Sequence, residues 1–174
     1  MRCAASRVTR FGRFALLLSA FILSTTALVA KEKTSTLKVV GVHDGDSITC
    51  LTDDKRQLKV RLDAIDAPEL GQPFGQASKK ALSDMVFGKT VTVIEKKKDR
   101  WGRTVAHVLV EGKDTNLMML EQGMAWHYTE YSSNTRLQRA EDEARVARKG
   151  LWADRDPVPP WDWRKTERER KGKR

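Results

Sequence analysis

The stretch LKVRLDAIDAPE, residues 58–69, decides how this chain folds. In its first half, apolar residues alternate with charged ones, which is the period of a β-strand with one buried face. Arg61 therefore points away from the apolar side of that strand. Pro68 cannot continue a strand, because it lacks the N–H that a ladder requires. The pattern predicts a half-buried strand that ends where Asp66 and Glu69 begin a turn.

Segments on either side of this stretch predict a small barrel. Further strand patterns, rich in valine or bounded by turn residues, occupy residues 37–42, 47–51, 90–94 and 105–110. Helical spacing follows at residues 76–86, 116–122 and 135–148. Five short strands are too few for a two-sheet sandwich. We therefore expect an α+β chain, mainly β, built as a five-stranded antiparallel OB-fold barrel with three helices.

Five charged residues stand at predicted strand ends and turns: Asp46, Arg61, Asp66, Glu69 and Arg103. Carboxylate oxygens are ligands that suit a hard cation such as Ca²⁺. The planar fork of an arginine matches two oxygens of a phosphate. A site that holds both groups is equipped to cut a phosphodiester. The simpler alternatives are a turn role for Asp46 and exposed salt bridges for the two arginines, which contribute little stability.

The charge of the chain is unevenly distributed. The 174 residues carry a formal net charge of +10, but residues 31–160 carry only +2 of it. A protein that coats polyanions would have a more basic folded part, whereas a local phosphate site helped by a basic tail fits this distribution.

The chain ends differ in composition from the middle. Residues 1–30 combine four arginines with an apolar run and then small residues, which is typical of an export signal. This predicts a secreted or periplasmic protein, with an uncleaved membrane anchor as the alternative. We expect the folded domain at residues 31–155 with a flexible start at 31–36. A linker and a basic tail that is helix-prone but unpacked would follow at residues 156–174, with tryptophans that dock the tail onto the body.

Three segments resemble the signature segments of the staphylococcal nuclease (thermonuclease) family, and they occur in the same order. They are VHDGDS (42–47), RLDAIDAPE (61–69) and DRWGR (99–103). Residues 116–125 and 149–152 resemble the closing helices of that family, so the similarity covers about residues 36–153. The resemblance implies an OB-fold enzyme that uses Ca²⁺ to hydrolyse DNA and RNA at the P–O5′ bond and leaves 3′-phosphates. We expect a monomer.

The resemblance also implies a role for each site residue. Asp46 and Asp66 match the calcium-binding carboxylates, and Ala67 matches the residue that supplies a backbone carbonyl to the metal. Arg61 and Arg103 match the catalytic arginines. Glu69 matches a general base or a group that orients the attacking water. Ala67 stands where the family has a threonine, so a hydroxyl is lost but the carbonyl is kept.

Three aromatic residues are candidates for substrate binding: Trp101, Tyr128 and Tyr131. Each could stack on a base or hydrogen-bond a phosphate. The alternative for each is ordinary packing. For the whole chain, the competing interpretation is a non-catalytic OB-type module that binds nucleic acid, since this fold also serves binding without chemistry.

Overall fold

The computed structural model of the protein describes residues 33–173. The eight strands in this part of the chain are β1 (Lys33–Val42), β2 (Ser47–Leu51), β3 (Gln57–Leu62), β4 (Ile65–Asp66), β5 (Thr90–Lys98), β6 (Thr104–Val110), β7 (Lys113–Asp114) and β8 (Trp126–His127). The helices are α1 (Gly75–Val86), α2 (Thr115–Glu121), α3 (Thr135–Val146) and α4 (Pro160–Gly172), with a 3₁₀ turn at Gly150–Ala153. The predicted signal segment, residues 1–30, lies outside the described residues.

Five of these strands form a closed barrel. The hydrogen-bonded order is β3-β2-β1-β5-β6, with the short β7 beside β6. The barrel closes because β3 also pairs with β6, in register from Val60 with Thr104 to Leu62 with Ala106. The predicted fold class, a mainly β five-stranded OB-type barrel, is confirmed. The expectation of purely antiparallel strands was wrong, since the closing β3–β6 pair is parallel.

Alternation along the strands places the core inside the barrel. Val39, Ile48, Val60, Val93 and Val108 are fully buried there. Helices α1 and α2 cover the barrel with further buried side chains, among them Leu82, Met119 and Leu120. Burying one such side chain contributes about 1.5–3 kcal/mol, so this core supplies a rigid frame for the groups at the strand ends.

The first strand is longer than the sequence pattern indicated. Residues 33–36, expected to be flexible, pair with β5 from Lys33 opposite Glu95 onward. An ion pair between Lys33 Nζ and Glu95 Oε1 (2.9 Å) accompanies that pairing. Polar residues are tolerated here because this part of β1 is largely exposed to solvent.

The C-terminal segment contains a fourth, packed helix, where three helices and a helix-prone but unpacked tail were expected. Pro160 begins α4, which suits proline because the first helical residue needs no N–H partner. Trp161 stacks on Tyr128 with ring centroids 5.2 Å apart and meets the edge of Trp126 at 5.7 Å. Trp126 also packs against Trp152, at 4.4 Å. Trp161 therefore fixes this segment to the body of the protein, as expected of the tryptophans, and the segment is a packed helix. No helix within residues 33–173 is long and apolar enough to cross a membrane.

Candidate active site

One cleft of about 630 Å³ collects all five charged residues that the sequence singled out. Its walls come from the β1–β2 turn, the ends of β3 and β4, the β5–β6 turn and helix α4. The other predicted site residues also lie on these walls: Ala67, Trp101, Tyr128 and Tyr131. Residues far apart in the sequence are thus brought together as predicted, and the size is that of a ligand site.

The turn between β1 and β2 fixes Asp46. Its backbone N–H donates to Asp44 Oδ1 (2.9 Å), which closes the turn. The Asp46 carboxylate accepts from Ser47 Oγ (2.8 Å) and from the Ala67 N–H (3.1 Å). A Cβ on Gly45 would lie 1.8 Å from Ser78 Oγ, so glycine lets the turn pack directly against α1. Asp46 is therefore buried and held in one place.

Arg61 bridges two carboxylates from separate segments. Its Nη2 donates to Asp66 Oδ1 (2.8 Å) and lies 3.1 Å from Asp46 Oδ2, while Nη1 donates to the Ile65 carbonyl (3.0 Å). Burial alone would lower the pKa of Arg61, but the carboxylates of Asp46 and Asp66 outweigh it and raise that pKa. The Arg61 guanidinium therefore stays charged. Its Nη2 atom contacts the carboxylates of both Asp46 and Asp66, which shows that the two carboxylates lie close together.

Negative charge is concentrated among these carboxylates. Asp66 is 1% exposed, and its burial raises its pKa; hydrogen bonds from Arg164 offset this, and the charge of Asp46 adds to it. Burial, followed by the charge of Asp46, raises the pKa of Asp44 to about 6. Asp44 lines the cleft and was not among the predicted site residues. Its position two residues before Asp46 is the one feature of the sequence that could have indicated a place in the site.

Arg103 reaches the cleft from the β5–β6 turn. Its Nε donates to Asp99 Oδ2 (2.7 Å), and its Nη1 lies 3.3 Å from Ser47 Oγ. Asp99 also accepts the N–H groups of Trp101 and Arg103, which fixes the turn. Burial works to raise the pKa of Asp99, but the hydrogen bonds from Arg103 lower it overall. Arg103 does form a salt bridge, which was the simpler alternative to a site role. That salt bridge also holds the guanidinium near Ser47, next to Asp46.

Glu69 stands at the rim, just past Pro68. Its Oε1 accepts a hydrogen bond from Arg164 Nη1 (2.8 Å), and its backbone N–H donates to Gln72 Oε1 (3.2 Å). The Glu69 side chain is 39% exposed, so water can reach it.

Arg164 of α4 is, like Asp44, a residue of the cleft that the sequence did not predict. Its Nη2 donates to Asp66 Oδ2 (2.7 Å), and its Nη1 to Asp66 Oδ1 (3.2 Å) as well as to Glu69. Burial alone would lower the pKa of Arg164, but the bonds to Asp66 and Glu69 raise it well above its usual range. Nothing in the sequence separated Arg164 from its basic neighbours, because its partners lie more than 90 residues away.

The three aromatic candidates have different surroundings. Trp101 is 66% exposed and Tyr131 is 59% exposed, both on the cleft wall. Tyr128 is packed between Tyr131, which meets it edge-on, and Trp161. Burial, followed by the charge of Asp66, raises the pKa of Tyr128, so its hydroxyl stays protonated at neutral pH. The guanidinium groups of Arg100 and Arg103 lie over the Trp101 ring, 4.2 and 5.3 Å from its centre. Lys97 Nζ lies 5.4 Å from the centre of the Tyr131 ring. Both rings are therefore exposed aromatic groups next to positive charge, which suits contact with a nucleotide.

The donor set in the cleft fits a hard cation. Asp46 and Asp66 offer only oxygen atoms and both lie within hydrogen-bond distance of one Arg61 nitrogen. Residues 33–173 contain no cluster of three or more His, Cys, Asp or Glu side chains arranged to hold a metal alone. Two carboxylates suffice where a carbonyl such as that of Ala67, water and a substrate oxygen complete the shell, as Ca²⁺ allows.

Comparison with known proteins adds independent information. A family model described as "Staphylococcal nuclease homologue" matches residues 59–154. An uncharacterized endonuclease of Haemophilus influenzae is 44% identical over 153 residues, covering 88% of this chain and 86% of that protein. An uncharacterized endonuclease of Escherichia coli O157:H7 is 42% identical, covering 73% and 83%. A micrococcal nuclease of Shigella flexneri is 41% identical, covering 74% and 79%.

Proposed function

Because this chain belongs to the staphylococcal nuclease family and is a nuclease, we propose that it is an exported, calcium-dependent enzyme that hydrolyses DNA and RNA at the P–O5′ bond. The products would carry 3′-phosphates. The observation that supports this most directly is the cleft in which Asp46, Asp66 and Glu69 face Arg61 and Arg103.

The two arginines bind and stabilise the reacting phosphate. Arg61 enters from β3 and Arg103 from the β5–β6 turn, so their guanidinium groups can contact different oxygens of one phosphodiester. Charge grows on the equatorial oxygens and on the leaving oxygen as the transition state forms. Donors that are already fixed by Asp66 and Asp99 stabilise that charge without reorganising, and one such donor typically contributes about 100–1,000-fold in rate.

Glu69 accepts the proton of the attacking water. Its exposed carboxylate lies near Asp66, where it can hold a water against the phosphorus atom. The bond that forms joins the water oxygen to phosphorus, and the bond that breaks is P–O5′. The water proton passes to Glu69, and the departing O5′ takes a proton from solvent.

Calcium would be held by Asp46, Asp66 and the Ala67 carbonyl. When bound there, it would polarise the phosphoryl group and offset developing negative charge. Trp101 and Tyr131 would contact the bases of the substrate. Tyr128, which also lines the cleft, would contact the substrate at the edge of the cleft. Export, suggested by residues 1–30, would place the enzyme as a monomer where free calcium is abundant, in keeping with the weak sites of extracellular proteins.

A product analysis tests this function. Supercoiled plasmid and a defined RNA are incubated with the purified protein, first with CaCl₂ and then with an excess of chelator. We expect both substrates to be cut in calcium only, and the ends to be 5′-hydroxyl and 3′-phosphate. Intact plasmid in calcium would favour the non-catalytic binding module, and 5′-phosphate ends would contradict the P–O5′ assignment. Mass spectrometry of the protein recovered outside the cytoplasm tests export.

A further inference from the structure

Helix α4 lies outside the segment that the family model matches, yet it forms part of the cleft wall. Its first turn is fixed to the body of the protein. Trp161 stacks on Tyr128 with an interplanar angle of 12°, and Gln72 Nε2 donates to the carbonyl of Val158 (2.6 Å) just before the helix. The helix therefore has a defined position beside the carboxylates.

One face of α4 points into the cleft. Trp161, Arg164 and Arg168 all line it, and their spacing of three and four residues places them on the same side of the helix. Successive arginines on this face are separated by one helical turn, about 6 Å along the axis. Phosphates of an extended nucleic-acid strand follow one another at a similar spacing.

The two arginines have hydrogen-bonding capacity that the protein does not use. Arg164 donates three of its five N–H groups to Asp66 and Glu69, so two N–H groups remain for another acceptor. Arg168 is exposed, and none of the hydrogen bonds and ion pairs of residues 33–173 involves its side chain. An arginine at a cleft wall without an acidic partner favours an anion that arrives from outside.

A second wall of the cleft is also basic. Lys97 and Lys98, at the end of β5, line the same cleft, and Lys97 Nζ lies 5.4 Å from the centre of the Tyr131 ring. Asp46 and Asp66 are buried, whereas these lysines and the arginines of α4 are more exposed. A polyanionic strand can enter such a cleft, because its backbone meets positive charge on more than one wall.

We propose that Arg164 and Arg168 form a phosphate-binding subsite on α4, which holds the phosphodiester of the nucleotide next to the one being cut. This inference rests on the proposed function in one respect only, that a nucleic-acid strand occupies the cleft. The subsite makes the enzyme prefer strands over the shortest possible substrates, because a dinucleotide has no second phosphodiester to offer it.

Arg168→Ala tests the subsite, with Arg170→Ala as the matched control. Arg170 is on the same helix and loses the same charge, but it pairs with Glu167 (2.8 Å) and does not line the cleft. The value of kcat/KM is measured for a dinucleotide and for a 12-residue single strand. We expect Arg168→Ala to lower the ratio of strand to dinucleotide kcat/KM about tenfold, mainly through KM, and Arg170→Ala to leave it unchanged.

Binding in chelator separates this inference from the proposed function. Anisotropy of a labelled 12-residue strand is measured against salt, without turnover. Arg168→Ala should weaken binding about tenfold and reduce the slope of log affinity against log salt by about 0.7, the value for one phosphate contact on a single strand. Equal effects of the two variants would overturn the subsite even if the enzyme cuts DNA. A wild-type protein that binds in this way but cuts nothing would overturn the function and leave the subsite standing.

Discussion

Arg164 and Asp66 are 98 residues apart in the sequence and form a two-bond ion pair in the cleft, with N–O distances of 2.7 and 3.2 Å. Asp66 is almost completely buried, and Arg61 contacts it from the other side. A buried carboxylate without a partner would be costly, so the two guanidinium groups stabilise it. The same contacts occupy both oxygens of a residue that we assign to calcium.

Removing Arg164 should therefore strengthen calcium binding. Calcium held at Asp66 would be repelled by the Arg164 guanidinium, whose side chain is one-third exposed and partly screened. In Arg164→Ala we expect the Kd for calcium, measured by isothermal titration calorimetry, to fall about fivefold. Arg170→Ala controls for the loss of net charge. An unchanged or weaker affinity in Arg164→Ala would show that the guanidinium does not compete with the ion.

Arg103→Ala should lower kcat about 100–1,000-fold with little change in the thermal unfolding temperature. Arg103 is partly exposed, and its ion pair with Asp99 lies within a single turn, so the barrel does not depend on it. Arg56→Ala, which removes an exposed arginine on the far β2–β3 turn, is the control. Near-wild-type turnover in Arg103→Ala would remove its assigned role.

Arg61→Ala is a less clean probe of catalysis than Arg103→Ala. A purely catalytic role for both arginines would predict loss of cleavage with an intact fold in either variant. The structure shows Arg61 between two buried carboxylates and bonded to the Ile65 carbonyl, so its removal also leaves like charges facing each other. We expect Arg61→Ala to lose activity and, in chelator, to unfold at lower denaturant concentration than Arg103→Ala. Equal stability of the two variants would contradict this.

Local sequence patterns predicted those parts of the fold that depend on residues close together in the sequence, such as strands and turns. The alternation around Arg61 and the turns at Asp46 and Arg103 placed those side chains at strand ends, which is where they lie. The closing pair of β3 with β6 joins residues 44 positions apart, and no local pattern specifies such a partner. The packing of α4 was missed, though not its helical tendency, because that packing depends on Trp161 meeting distant aromatic rings and its own composition resembles a solvated tail.

Glu69→Gln should lower kcat more than it weakens calcium binding. The amide keeps the shape and an oxygen acceptor but cannot take the proton of the attacking water. Arg164 Nη1 can still donate to the amide oxygen, so the cleft geometry is retained. We expect a loss in kcat of about 100-fold or more, with a calcium Kd within threefold of the wild-type value. A loss of activity that excess calcium restores would point to an effect on metal affinity only.

Cys50 makes the stability of the barrel sensitive to alkaline pH. It is fully buried in β2, and burial raises the pKa of its thiol to about 12. An unfolded thiol has a pKa of about 8.5. Because the folded state disfavours the thiolate, this stabilisation is complete below pH 8.5 and is lost as the pH rises from there to about 12.

Cys50→Val isolates that contribution, since valine fills a similar volume and does not titrate. Urea unfolding of both proteins is measured at pH 7.5 and at pH 10.5, where lysines and tyrosines titrate equally in the two chains. We expect the wild-type protein to lose about 2–3 kcal/mol more free energy of unfolding than Cys50→Val over this interval. An identical pH dependence in the two proteins would mean that the thiol ionises in the folded state, and hence that the β2 face of the core admits water.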